Sequence, residues 1–222
     1  MILNIHAHNP APDPEAIIDI STLLRDADSF AIPDGYPPGQ LFSAAIHPWW
    51  LTDNPDEALL ARIETAVADP RVAIIGETGI DIPKGGPLFR QMNTFKKMIA
   101  LSEKYRKPLL IHNVKAHEII IGVYKELKPS QPWIIHGFRN KPAIAQMFLR
   151  QGFYISFGSL FNPATVRDMP ADRILAETDE SPLPINEIIF ALSDARGTDL
   201  THVIAENSAR IIGLQDSSTP IL

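Results

Sequence analysis

The chain of 222 residues contains no cysteine. That excludes disulfides, thiolate zinc sites, iron–sulfur clusters and cysteine nucleophiles, and it suits a reducing compartment. No apolar run approaches the roughly 18 residues of a membrane span. The N-terminus has neither a basic region nor a signal-type apolar stretch, so the expectation is a cytoplasmic protein that is not exported and does not meet a membrane. Nucleotide-cofactor loops are missing too: no GxGxxG or GxxxxGK(S/T) run occurs, and GFYISFGS fits neither. FGS and GSL lack the GxSxG nucleophile pattern. There is no internal repeat, low-complexity segment or linker, so residues 1–222 read as a single domain with no sign of an obligate protein partner. A formal net charge of −6 argues against sequence-indifferent wrapping of nucleic acid, which needs many phosphates neutralised. A small phosphate-bearing substrate drawn in by a metal remains compatible with it.

What the chain has is alternation. Strand-like runs are expected at 2–5, 17–20, 41–46, 72–76, 108–111, 133–135, 153–157 and 172–177. Between and after them, helices are expected from a cap at Asp53 or Asn54 with Pro55 in the first turn, over 92–107, where Met92, Phe95, Met98, Ile99 and Leu101 fall at helical spacing, and over 115–127, 141–150, 184–195 and 201–212. Residues 23–40, with Pro33, Gly35, Pro37, Pro38 and Gly39, read as an irregular loop after a possible single helical turn. Strands that are apolar throughout belong to a parallel sheet covered by helices. Successive candidate residues fall about one β-α-β unit apart, a unit taking roughly 30 residues or more, so the chain keeps returning to the same end of the sheet. The expected fold is α/β, a (β/α)₈ TIM-type barrel whose chemistry sits at the carboxyl ends of its strands. It should be shortened, with the first crossover helix reduced or missing, because only some ten residues separate the first two strands.

The ends of those runs carry the chemistry. His6 and His8 close the first run and, by the period-two rule, face the same way. Glu77 ends VAIIGE, where a carboxylate after apolar residues needs a partner, a metal or a raised pKa. Its two oxygens could bridge two metals, and Gly76 and Gly79 on either side permit close backbone turns beneath the site. His112 ends PLLIH and His136 ends PWIIH. Asp179, in ILAETDESP, is placed to bind a metal and to accept a proton, while Glu177 lies deeper on the same face as a partner for a histidine. Imidazole with carboxylate suits zinc or another transition metal better than calcium. His47, before Pro48, Trp49 and Trp50, is a candidate for substrate contact or proton transfer. Trp49 could stack on a flat group, and Lys115 and Arg139 could meet phosphate oxygens. His117 and His202 fall in helical segments and read as surface or structural residues.

These motifs together resemble the TatD-like metal-dependent hydrolases, relatives of the amidohydrolase-type barrels, over nearly the whole chain. NIHAH is similar to the family's D-x-H-x-H, AIHP to its G-x-H-P, IGETGID to its IGEIGLD, PLLIH to its P-x-x-x-H, HGFRN to its H-x-F-x-G and ETDESP to its ETDSP; ENSARIIG echoes its C-terminal asparagine helix start. The resemblance implies metal ligands at His6, His8, Glu77, His112, His136 and Asp179, with two divalent ions (zinc, manganese or magnesium) and catalytic roles for Glu77 and Asp179. It implies phosphodiester hydrolysis, with single-stranded DNA as substrate. The same centre on a related barrel could instead cleave an amide or lactone in a small molecule, and a metal-binding scaffold without turnover is the third reading. Departures from the pattern are Asn4 in place of aspartate, Val114 where a basic residue often follows the fifth-strand histidine, Glu180 inserted before Ser181 and Pro182, and the shorter length.

Overall fold

A computed structural model describes residues 1–29, 32, 35–52 and 57–213. The helix cap expected at Asp53, Asn54 and Pro55 lies outside the described residues. Eight strands form one sheet in chain order, with all neighbouring pairs parallel: β1 (Asn4–Ala7), β2 (Ala16–Asp19), β3 (Leu41–Ala44), β4 (Val72–Asp81), β5 (Leu109–Val114), β6 (Trp133–Ile135), β7 (Tyr154–Phe157) and β8 (Ile174–Ala176). The helices are α1 (Ser21–Asp26), α2 (Glu57–Ala68), α3 (Leu88–Tyr105), α4 (His117–Leu127), α5 (Pro142–Leu149), α6 (Pro163–Asp168), α7 (Ile185–Arg196) and α8 (Thr201–Ile211). No helix separates β1 from β2, and α1 follows β2, so the first crossover is reduced as expected.

Alternation along the strands sorts the core into two layers. Ile5, Ile17, Ile74, Leu110, Ile134, Tyr154 and Leu175 form one buried cluster, the filling of the barrel. Their sequence neighbours, among them Ile18, Ile75, Leu109, Ile111, Trp133, Ile135, Ile155 and Ile174, pack with Ile63, Phe95, Ile120, Phe148, Ile188 and Ile204 from the helices. Burying a side chain such as Phe95 completely contributes about 1.5–3 kcal/mol. Two residues beyond the inner Ile17, Leu110, Ile134 and Leu175 come Asp19, His112, His136 and Glu177. The inner face is therefore apolar below and chemical above.

The barrel closes at a narrow seam. Ala7 bridges Asp179, the Asp179 N–H donates to the His6 carbonyl (3.0 Å) and the His8 N–H donates to the Asp179 carbonyl (3.2 Å). Asn4 fastens the same seam: its amide donates to Thr178 Oγ1 (2.9 Å) and its oxygen accepts the Thr178 N–H (3.0 Å).

Boundaries differ from the sequence expectations where the backbone is irregular. The first strand lies at Asn4–Ala7, not 2–5, because the Leu3 and Asn4 N–H groups both donate to the Glu15 carbonyl before regular pairing begins. β4 and β5 run past Glu77 and His112, to Asp81 and Val114, because the two strand tails pair with each other. Residues 171–173 form a 3₁₀ turn that shortens the last strand. The six-residue α6 was not anticipated, although Asn162 caps it and Pro163 occupies its first turn. Asn207, from the ENSARIIG segment, ties α8 to the barrel by donating to the carbonyls of Ala171 (2.8 Å) and Ile174 (2.9 Å). Among the described residues no helix is long and apolar enough to cross a membrane.

Candidate metal centre

Glu77 is the hub. Its side chain is 6% exposed and five imidazoles face it. His136 Nε2 stands 2.6 Å from Oε1, His47 Nε2 3.3 Å from the same oxygen, and His112 Nδ1 also contacts it. His6 Nε2 and His8 Nε2 lie 3.5 and 3.9 Å from Oε2. Asp179 Oδ1 is 3.5 Å from His8 Nε2 and 4.0 Å from His6 Nε2. All six residues expected as ligands thus converge from β1, β4, β5 and the ends of β6 and β8, and His47 joins them from the end of β3. Three sets have ligand atoms within 4.8 Å of one another: His6, His8 and Glu77; His6, His136 and Asp179; His47, Glu77 and His112. Gly76 and Gly79 lie within β4, not in turns as expected, and what they permit is close packing: an added Cβ would collide with Leu110 at Gly76 and with the His112 carbonyl at Gly79.

A divalent cation fits this donor set. His6 is completely buried, yet neither ring nitrogen has a hydrogen-bond partner among the described residues. A buried polar group left so is costly and asks for a ligand. His136 directs Nδ1 to Glu177 Oε1 (3.0 Å), an oxygen that also accepts the Gly137 N–H (2.7 Å), which leaves Nε2 turned to Glu77. Glu177 is the partner expected below the histidines, and such carboxylate–histidine pairs orient metal-binding rings. His47 is arranged differently. Its Nδ1 accepts the Trp49 N–H (3.1 Å), so the neutral ring carries its proton on Nε2 and presents a donor, not a lone pair, to the centre.

The electrostatics are those of coupled buried charges. Burial opposes ionisation of Glu77, but the His136 charge and hydrogen bonds from His112, His136 and His47 hold it well below the usual carboxylate range. Burial likewise opposes protonation of His136, and the charges of Glu77 and Glu177 raise it well above the usual value nonetheless. Desolvation of His8 is overcome by its bond to Glu77 and by the charges of Asp19, Glu77 and Asp179, which raise it to about 9. Asp179 is pushed up by burial and then by the Glu177 charge.

These shifts set a pH dependence. A histidine whose folded pKa exceeds its unfolded value of 6.5 contributes stability that is complete below that value and is lost as pH rises through the folded pKa, about 9 for His8. Protein stripped with a chelator should therefore melt at progressively lower temperature across that window. Ion-loaded protein should not, since ligand imidazoles must be unprotonated and a higher pH favours binding. Melting curves with and without chelator check this; a stripped protein that gains stability between those limits contradicts it.

Above the hub a cavity of about 690 Å³ opens, lined among others by Trp49, Lys84, Lys115, Arg139, Asp19 and Glu180. Trp49, Lys115 and Arg139 are exposed members of that lining, and the Trp49 ring also packs edge-on against His112, with 5.8 Å between centroids. Glu180, the inserted residue, adds a negative charge beside Asp179. His202 is a surface residue paired with Glu206 (3.1 Å), and His117 begins α4. Asp19 and Asp81 escaped the sequence reading of the site. Asp81, 1% exposed, accepts from His112 Nε2 (2.9 Å) and Trp49 Nε1 (2.7 Å). Its spacing from Glu77, four residues along one strand, is the signal that places both on one face.

A model of the family described as TatD related DNase matches residues 15–206. The chain belongs to the TatD-related DNase family. The match begins beyond His6 and His8, whose place in the centre rests on the distances above. A protein of Buchnera aphidicola subsp. Baizongia pistaciae named an uncharacterized metal-dependent hydrolase is 32% identical over 160 residues, 67% of this chain and 60% of that protein. The chain spans 55–60% of the length of the first three curated relatives it matches. A 3′-5′ ssDNA/RNA exonuclease TatD of Erwinia amylovora is 27% identical over 147 residues, 62% of this chain and 56% of that protein. The fold is similar to the crystal structure of YjjV, a TatD homologue from Escherichia coli, with a TM-score of 0.77 and 17% identity over 97% of this chain and 98% of that one. The TatD-related chain thus shares the barrel of YjjV.

Proposed function

We propose that the chain is a two-ion hydrolase of phosphodiester bonds in single-stranded nucleic acid. The observation that carries the proposal is one buried carboxylate, Glu77, faced by five imidazoles, with Asp179 beside two of them. His6, His8, Glu77 and Asp179 would hold one ion, and Glu77, His112 and His136 the other, with zinc, manganese and magnesium as candidates. Bound there, the ions would supply Lewis acidity and a nucleophile at neutral pH. The protein's own groups complete the chemistry. Asp179, raised by burial, is placed to take the proton of attacking water. His47 offers its Nε2–H to an oxygen that gains charge. At the mouth Trp49 provides a ring for a base, and Lys115 and Arg139 provide charge for flanking phosphates.

A second reading has its own observation. Asp19 and Glu180 line the same cavity and would repel an extended polyanion, which favours a small amide or lactone as substrate. Parallel assays on short single-stranded DNA, a phosphodiester dye ester and a lactone panel, each with manganese, zinc or magnesium, separate the two. Turnover of the DNA and dye ester is the expected result. Lactone turnover without phosphodiester cleavage selects the second reading, and bound ions without any turnover would leave a scaffold.

A further inference from the structure

We propose that Asp81 is a positioning residue that fixes the ring of His112, and with it the ion position that His112 serves; this rests on the metal reading above. β4 continues four residues past Glu77 and buries the Asp81 carboxylate beside the centre. Three groups converge on that carboxylate. His112 Nε2 (2.9 Å) and Trp49 Nε1 (2.7 Å) meet Oδ2, and the Lys84 backbone N–H (2.9 Å) meets Oδ1. The Asp81 backbone is itself clamped by buried Gln91 of α3, whose Oε1 accepts the Asp81 N–H (2.8 Å) and whose Nε2 donates to the Asp81 carbonyl (3.1 Å).

An indole N–H and a peptide N–H can only donate, and an ionised carboxylate can only accept. The arrangement is consistent only if His112 also donates, from Nε2. In the neutral ring the lone pair then lies on Nδ1, the atom that faces Glu77. Asp81 thus decides which nitrogen of His112 is free for a cation, and it does so while holding the edge of Trp49, which is 44% exposed at the mouth. An asparagine could not do the same. With its oxygen toward His112 and Trp49, its NH₂ opposes the Lys84 N–H and the charge that holds the His112 N–H is gone; reversed, it opposes Trp49 and drives the His112 proton onto Nδ1, where it blocks the cation.

Calorimetric titration of the full chain with manganese alone tests this. Wild type is expected to bind two ions. Asp81→Asn should keep one with unchanged affinity and bind the other about 10–100-fold more weakly, the range for loss of an outer carboxylate partner. A general loosening of the fold would weaken both. Two ions bound by the variant as tightly as by wild type, or equal weakening of both, overturns the assignment. Should the variant not fold, NMR of nitrogen-labelled histidine in the zinc-loaded wild type decides: a proton on His112 Nε2 is expected, and one on Nδ1 overturns the proposal. A wild type that binds no ion is a separate failure, which removes the metal reading and this inference with it.

Discussion

Replacing Glu77 with glutamine is expected to weaken ion binding at both positions by at least about 100-fold while the barrel remains folded. Glu77 stands between the two sets of imidazoles, with one oxygen toward His136, His112 and His47 and the other toward His6 and His8. Glutamine has nearly the same shape but no charge, so neither set keeps its shared anionic ligand. Loss of an outer carboxylate costs about 10–100-fold in affinity, and an inner, bridging one should cost at least about 100-fold for each ion. The fold should survive, because imidazoles deprived of the carboxylate can shed their protons rather than remain as buried unpaired charges. Metal content after dialysis and the melting temperature measured together check both halves. A Glu77→Gln protein that retains two ions contradicts the bridging role.

Asp179→Asn should lower kcat by about 10²–10⁴-fold in a metal-replete assay, the range for removing a proton acceptor. The backbone argues that the fold will not suffer. Asp179 sits at φ 54°, a left-handed conformation that asparagine adopts at least as readily. Its seam contacts to His6 and His8 are made by main-chain atoms that the substitution leaves in place. A variant with normal melting temperature and full activity would remove Asp179 from the chemistry; an unfolded one would show that the side chain holds the seam.

Much of this was legible in the sequence because a barrel strand has a fixed inner face. Leu110 and His112, Ile134 and His136, and Leu175 and Glu177 are pairs two residues apart, so an apolar strand that ends on a donor announces both its fold and its site. Asp81 was harder to read. The tail Thr78-Gly79-Ile80-Asp81 has the composition of a turn, and only its pairing with β5 keeps it extended. The displaced start of β1 follows from the doubled hydrogen bonds to Glu15, a tertiary event that no local pattern encodes. The sequence marks His47 for substrate contact or proton transfer; the Trp49 N–H that turns it into a donor comes from the 3₁₀ turn Pro48–Trp50, which composition does not reveal. Lys115 and Arg139, each three residues after a strand-end histidine, line the cavity above the centre.

Anomalous diffraction from crystals grown with manganese tests the central claim most directly. Two peaks about 3.5–4 Å apart are expected, both within coordination distance of Glu77, one also reached by His6, His8 and Asp179 and the other by His112 and His136. A well-measured map with no peak between Glu77 and these imidazoles would contradict it.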